Sequence, residues 1–251
     1  MPEEALSRRV AALLATLSLC ACWAALEGAL AAPAWSASGA TIRASFSPYG
    51  LGAKTAGTIS MGFSGPGGIP APLSGAVLRL PAGLGVDLSG VGVCRPSSLR
   101  SRGKQGCAAG SLLGRGQATL KVHAGSQTLP ESAAISVFRG PNRGSQPVFE
   151  ILGEGMTPLY EHVVSTAVLQ GDSAPFGSKL VVSVPAIPTL TYEPDASFTA
   201  LALTIGNAGT HSRGVITLPR RCPKGGFPIA ASFSFADRSS TSASTDVPCP
   251  R

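Results

Sequence analysis

The chain has 251 residues, 31 of them glycine and 21 proline, with 13% charged residues and a formal net charge of +7. A chain of this length can bury about 70% of its extended surface, so it needs neither a metal nor a partner to have a core. The basic balance raises nucleic acid as a partner, but no stretch interleaves aromatic and basic residues, which argues against that class. Arginine outnumbers lysine threefold and Ala and Gly abound, a coding bias rather than a chemical role.

The first segment sets the expected location. Arg8 and Arg9 precede an apolar run over 10–26, and small residues follow it. A basic start, an apolar middle and a small-residue exit make a secretory signal peptide. Cleavage is expected after Ala31 or near Ala37. The run is shorter than the roughly 20 apolar residues of a membrane-spanning helix, and Glu27 closes it, so no stable span is expected after cleavage. Leu19-Cys20-Ala21-Cys22 loosely resembles a lipobox with Cys22 as the lipidated residue, though Cys20 is atypical at its position. Ser7-Arg8-Arg9 is only weakly like a twin-arginine signal. The chain is therefore expected to be secreted or envelope-associated, with a lipoprotein anchored at Cys22 as the alternative. Losing 1–37 removes two arginines and three glutamates, which moves the net charge from +7 to +8.

From residue 40 the pattern is β. Candidate strands run over 41–47, 58–64, 75–80, 118–123, 133–139, 148–152, 162–169, 179–184, 197–205 and 228–235. In Ala231-Ser232-Phe233-Ser234-Phe235 the phenylalanines fall on one face and the serines on the other, the period of a half-buried strand. Gly/Pro clusters such as Gly65-Pro66-Gly67-Gly68 and Gly140-Pro141-Asn142 punctuate these runs. Helical periodicity is nearly absent; one short turn is expected at Pro96, with proline at a first helical position. The tail after Phe235 reads as a polar hairpin before a closing strand. The fold expected is all-β, an antiparallel β-sandwich of immunoglobulin-like or jelly-roll-like type. It occupies 40–251 as a single domain behind the 1–37 signal and cleavage region. Two tandem immunoglobulin-like domains, split near 125–130, are disfavoured because neither a linker nor a repeat is present there.

The mature part keeps four cysteines, Cys94, Cys107, Cys222 and Cys249. An even number in an exported chain reads as two disulfides with three possible pairings. The local pairing, Cys94 with Cys107 and Cys222 with Cys249, is favoured because it makes two self-contained loops. Each bridge is expected to stabilise by ~3 kcal/mol through loop closure. Neither pair has the close spacing of a structural zinc module.

No catalytic signature emerges. Glu154, His162 and Asp172 offer a general-base or metal reading, set against the plainer one of solvated strand ends. Gly62-Phe63-Ser64-Gly65-Pro66 fails as a nucleophile elbow at its last position. Lys54-Thr55 lacks the glycine and the helix of a phosphate loop. His211-Ser212 reads as a loop tip. The mature chain has few carboxylates and few aromatics for sugar chemistry. No enzyme activity, cofactor or metal is expected. The one surface hint is basic: Arg95, Arg100, Arg102, Lys104 and Arg115 occur with no Asp or Glu between Asp87 and Glu131, mostly within the first disulfide loop. Arg220, Arg221 and Lys224 flank Cys222 and extend the same character. Such a loop is either a solubilising face or a site for anionic wall polymer, lipid or acidic protein.

Gly92-Val93-Cys94-Arg95-Pro96-Ser97-Ser98-Leu99 with Gly106-Cys107 and Gly114–Ala118 form one distinctive segment. Pro219-Arg220-Arg221-Cys222-Pro223-Lys224-Gly225-Gly226-Phe227-Pro228, leading to Val247-Pro248-Cys249-Pro250, forms another. Together they resemble a group of uncharacterised exported β-rich proteins of actinobacteria. Ala108 stands where that group commonly has a proline after its second cysteine. The resemblance implies export and the cysteine framework; it implies no activity, ligand or catalytic residue. The function expected is a secreted or envelope-associated binding or structural module that contacts anionic envelope polymers through the basic loop. An exported hydrolase with an unrecognised site is the alternative.

Overall fold

The computed structural model describes residues 39–157, 160–206 and 214–250. The segment read as a signal peptide, with Cys20 and Cys22, and His211 lie outside the described residues. One compact unit accounts for the part described.

Thirteen strands build it: β1 (Gly39–Ser47), β2 (Lys54–Ser64), β3 (Leu73–Pro81), β4 (Gly85–Val86), β5 (Leu112–Ala124), β6 (Gln127–Arg139), β7 (Val148–Thr157), β8 (His162–Gly171), β9 (Phe176–Ser183), β10 (Ser197–Ile205), β11 (Ile216–Thr217), β12 (Phe227–Phe235) and β13 (Ser240–Val247). The ten strands expected from the sequence lie within this set, although β9 stops one residue short of 184. The all-β antiparallel class therefore holds. β5 starts earlier than its apolar pattern because Gly114 and Gly116 continue the ladder, and β6 starts earlier because 127–132 pair with the end of β5. A Cβ at Gly114 would come 2.6 Å from the carbonyl oxygen of Thr204, and one at Gly116 would collide with that of Ala202. Close approach of β10 to β5 is what these two glycines permit.

Every neighbouring pair is antiparallel, in the order β13-β12-β3-β9-β8-β7-β6-β5-β10-β2, with β1 on the edge of β2 and the short β11 and β4 beyond its start. The sheet is one continuous ladder that rolls over on itself. Leu180 and Val182 of β9 pack into the same cluster as Leu203 and Ile205 of β10, so the two layers are halves of one sheet. The rolling brings β1 alongside β13. Among the described residues no ladder joins them, and the sheet stays open at this seam. Eleven strands lie on the path from β1 to β13, so the two edge strands run in the same direction.

The core follows the alternation. On β12, Phe227, Ile229, Ala231, Phe233 and Phe235 are buried while Ser232 and Ser234 are exposed. Phe233 meets Phe63 of β2 edge-to-face at 4.9 Å between centroids, a favoured aromatic geometry.

Among the described residues one short α-helix, α1 (Pro96–Arg102), sits outside the sheet, with proline in its first turn as expected. It carries Leu99 onto the outer face of β5–β8. There Leu99 and Leu152 are fully buried and pack with Cys94, Leu112, Phe138 and Val164. The Cys94–Cys107 bridge closes this loop, and Cys222–Cys249 ties the end of β13 to the turn before β12. Both are the local pairings. No helix among the described residues is long and apolar enough to cross a membrane.

Candidate functional site

The outer loop presents its charge as the sequence suggested. Arg95, Arg100, Arg102 and Lys104 are all exposed around α1. Arg115 is exposed on β5 opposite Ser136, which in turn stands opposite Leu152, so it shares the face on which α1 packs. Two of the cations are partly answered from below. Lys104 Nζ lies 3.6 Å from Glu154 Oε2, and Arg100 acts with Arg143 on the buried Glu150. Glu150 is 2% exposed, and its Oε2 accepts a 2.8 Å hydrogen bond from the Thr166 hydroxyl. Burial pushes its pKa up, against the Thr166 hydrogen bond and the two arginines. Arg220, Arg221 and Lys224 are exposed on the second disulfide loop, where Arg220 lies against Gly52.

Of Glu154, His162 and Asp172, only the first two meet. The β7–β8 register sets Glu154 opposite His162, with His162 Nε2 3.8 Å from Glu154 Oε1. Gly103 covers the pair closely: a Cβ there would lie 3.0 Å from His162 Cε1, and its φ of 56° is one that glycine accepts without strain. Asp172 follows the far end of β8, about 30 Å away by strand rise, where it pairs with Arg79 at 3.4 Å. Among the described residues, no three His, Cys, Asp or Glu side chains are grouped to hold a metal ion.

The inward face carries a feature that the sequence reading missed. Apolar side chains from β2, β3, β5–β10 and β12 surround a cavity of about 170 Å³, and a second of about 110 Å³ continues it toward Leu84 and Val86. Ile59, Leu78, Ile151, Leu180, Leu203 and Ile205 line both, so the two cavities adjoin along the inside of the roll. Together they extend from Glu161, just before β8, to Leu169 on it, roughly 26 Å of extended chain. Thr58 borders the second cavity, Ser165 lies midway, and the two carboxylates of the lining, Glu131 and Glu161, lie at one end. Glu131 is 4% exposed there and accepts a hydrogen bond from the backbone N–H of Met156 at 3.1 Å. The available signal was Gly153-x-Gly155 on β7, two inward positions with no side chain. A Cβ at Gly153 would touch nothing nearer than 3.6 Å.

The molecule is thus a disulfide-bridged, all-β domain with an apolar interior space and a basic outer loop. No protein-family model matches the chain, and neither a curated protein nor a solved structure is significantly similar to it.

Proposed function

We propose that this protein is an exported, envelope-associated binding module whose ligand is an elongated apolar molecule, such as a lipid chain, held inside the rolled sheet. The observation that carries the reading is the pair of adjoining apolar cavities inside the roll. Leaving a cavity of about 170 Å³ unfilled forgoes about 4 kcal/mol of packing at ~24 cal/mol per Å³. Apolar cavities of this kind stay dry and accept apolar guests, and a lining of aliphatic and aromatic side chains with a few polar groups is the usual make-up of a small-molecule site. The two disulfides suit an oxidising compartment, in line with the signal-like start of the chain and the resemblance to exported actinobacterial proteins.

The test is uptake of the neutral fluorophore N-phenyl-1-naphthylamine by mature protein, with wild type compared with Leu203→Trp. Saturable uptake in wild type, reduced at least tenfold when the tryptophan fills the space, supports the reading. Lack of saturable uptake by wild type defeats it.

Exposure of all five basic residues, Arg95, Arg100, Arg102, Lys104 and Arg115, favours a second contact, with anionic envelope polymer. Co-sedimentation with envelope fractions should then weaken steeply with salt and fail once Arg95, Arg100, Arg102 and Lys104 are neutralised. Sedimentation that ignores both changes rules this contact out. The hydrolase alternative loses support from the separation of Asp172 from Glu154 and His162.

A further inference from the structure

The connection from β9 to β10, residues 184–196, crosses the end of the sheet at which Glu131 and Glu161 join the cavity lining. Registers place it there: Ser197 opens β10 opposite Lys121, near the β5–β6 turn, while Thr157 closes β7 opposite Ser132 at the same end. Ile187 points inward from this connection. It lines the cavity and packs with Leu120, Val122 and Ala196. Leu190 and Tyr192 point outward, 50% and 103% exposed. The segment therefore has an apolar inner side in the cavity and an apolar outer side in solvent.

Its construction is that of a stiff strap with light fastenings. Pro185, Pro188 and Pro194 restrict its backbone. Internal hydrogen bonds hold its shape: Ala196 N–H to Ile187 O at 2.9 Å, Glu193 N–H to Leu190 O at 3.0 Å, and the Thr189 hydroxyl to Pro194 O at 2.8 Å. Across the opening, the Gly125 N–H of the β5–β6 turn donates to Glu193 Oε1 at 2.9 Å. Tyr192, between Leu190 and that fastening, has φ of 69°, a left-handed conformation that strains an aromatic residue.

We propose that residues 184–196 are the lid of the apolar site, that Ile187 is its plug, and that release of the Gly125–Glu193 hydrogen bond opens it to an apolar ligand. This rests on the ligand reading above. A lid fastened alike in the empty and the filled state governs how fast ligand enters and leaves, and loosening it equally in both states leaves Kd unchanged.

The experiment follows N-phenyl-1-naphthylamine by stopped flow in mature wild type, Glu193→Ala, Glu193→Gln and Ile187→Trp, each first matched to wild type by circular dichroism. Alanine removes the acceptor and glutamine keeps one. Glu193→Ala should speed uptake and release at least fivefold with Kd within twofold, and Glu193→Gln should behave as wild type. Ile187→Trp, which enlarges the plug, should raise Kd about tenfold. Wild-type rates in Glu193→Ala, or wild-type affinity in Ile187→Trp, would overturn the lid. Failure of wild type to take up the probe would instead overturn the ligand reading beneath it.

Discussion

Strands β7 and β8 have two apolar faces that are treated in opposite ways. On the outer face Leu152 and Val164 are sealed under α1, and Leu152 is fully buried against Leu99. One residue away on the inner face, Ile151 and Val163 are only half-buried and border the cavity. The chain thus places a helix, a disulfide and a leucine to fill the outer depression, yet puts glycine at 153 and 155 on the inner one. Shortage of apolar side chains does not explain the space inside. Dense packing and an unfilled cavity coexist within one residue of each other, which makes the cavity a property of this sheet's inner face.

The contrast can be broken most directly by truncation on each face. Leu152→Ala should cost about 2–5 kcal/mol, because a sealed site cannot relax around the lost atoms. Ile151→Ala should cost no more than about 1–2 kcal/mol, since its side chain already borders open space. Equal losses in urea melts would mean that the inner face is packed as tightly as the outer.

Two glycines sharpen the same point at smaller scale. Gly116→Ala should destabilise by about 1–3 kcal/mol, as its methyl group must displace the Ala202 carbonyl. Gly153→Ala should stabilise by about 0.5–1 kcal/mol, because the methyl group enters free space and the unfolded chain loses freedom. A destabilised Gly153→Ala would show that the space is closed in solution.

The smallest effect concerns the outer face and its one buried, titrating carboxylate. Folding raises the pKa of Glu150 above the ordinary 4.5, mainly by burial, so the folded state holds this proton more tightly than the unfolded chain. Its stability contribution is complete below pH 4.5 and is lost as pH rises through the raised value. Glu150→Gln, which can still accept from Thr166, should gain on wild type as pH goes from 4 to 7. Melting temperatures that keep a constant difference over that range would contradict this assignment.

Much of the framework was legible because its signals are local. The alternation of Phe227–Phe235 announced β12, Pro96 announced α1, and short spacings announced both disulfides. β13 is harder: the inward face of Ser-Thr-Ser-Ala-Ser-Thr-Asp-Val has only Ala243 and Val247 as apolar residues, and the strand leans on pairing along β12. Glu154 and His162 were suspected together but their contact depends on hairpin register, which a sequence leaves open when the turn is not known. Asp172 was grouped with them by proximity along the chain, although an extended strand carries neighbours in sequence far apart in space. The cavity was least legible. Alternation says which side chains point inward; it says nothing of whether the opposite layer reaches them.

The seam between β1 and β13 has a consequence for rewiring the chain. With an even number of strands, the beginning of the first and the end of the last would stand side by side, and a two-residue turn could join them. Here the edge strands point the same way, so Gly39 and Val247 sit at opposite ends of the seam. A circular permutant fusing these ends must run back along a whole strand, roughly 30 Å at about 3.3 Å per residue, and so needs a linker of about ten residues or more.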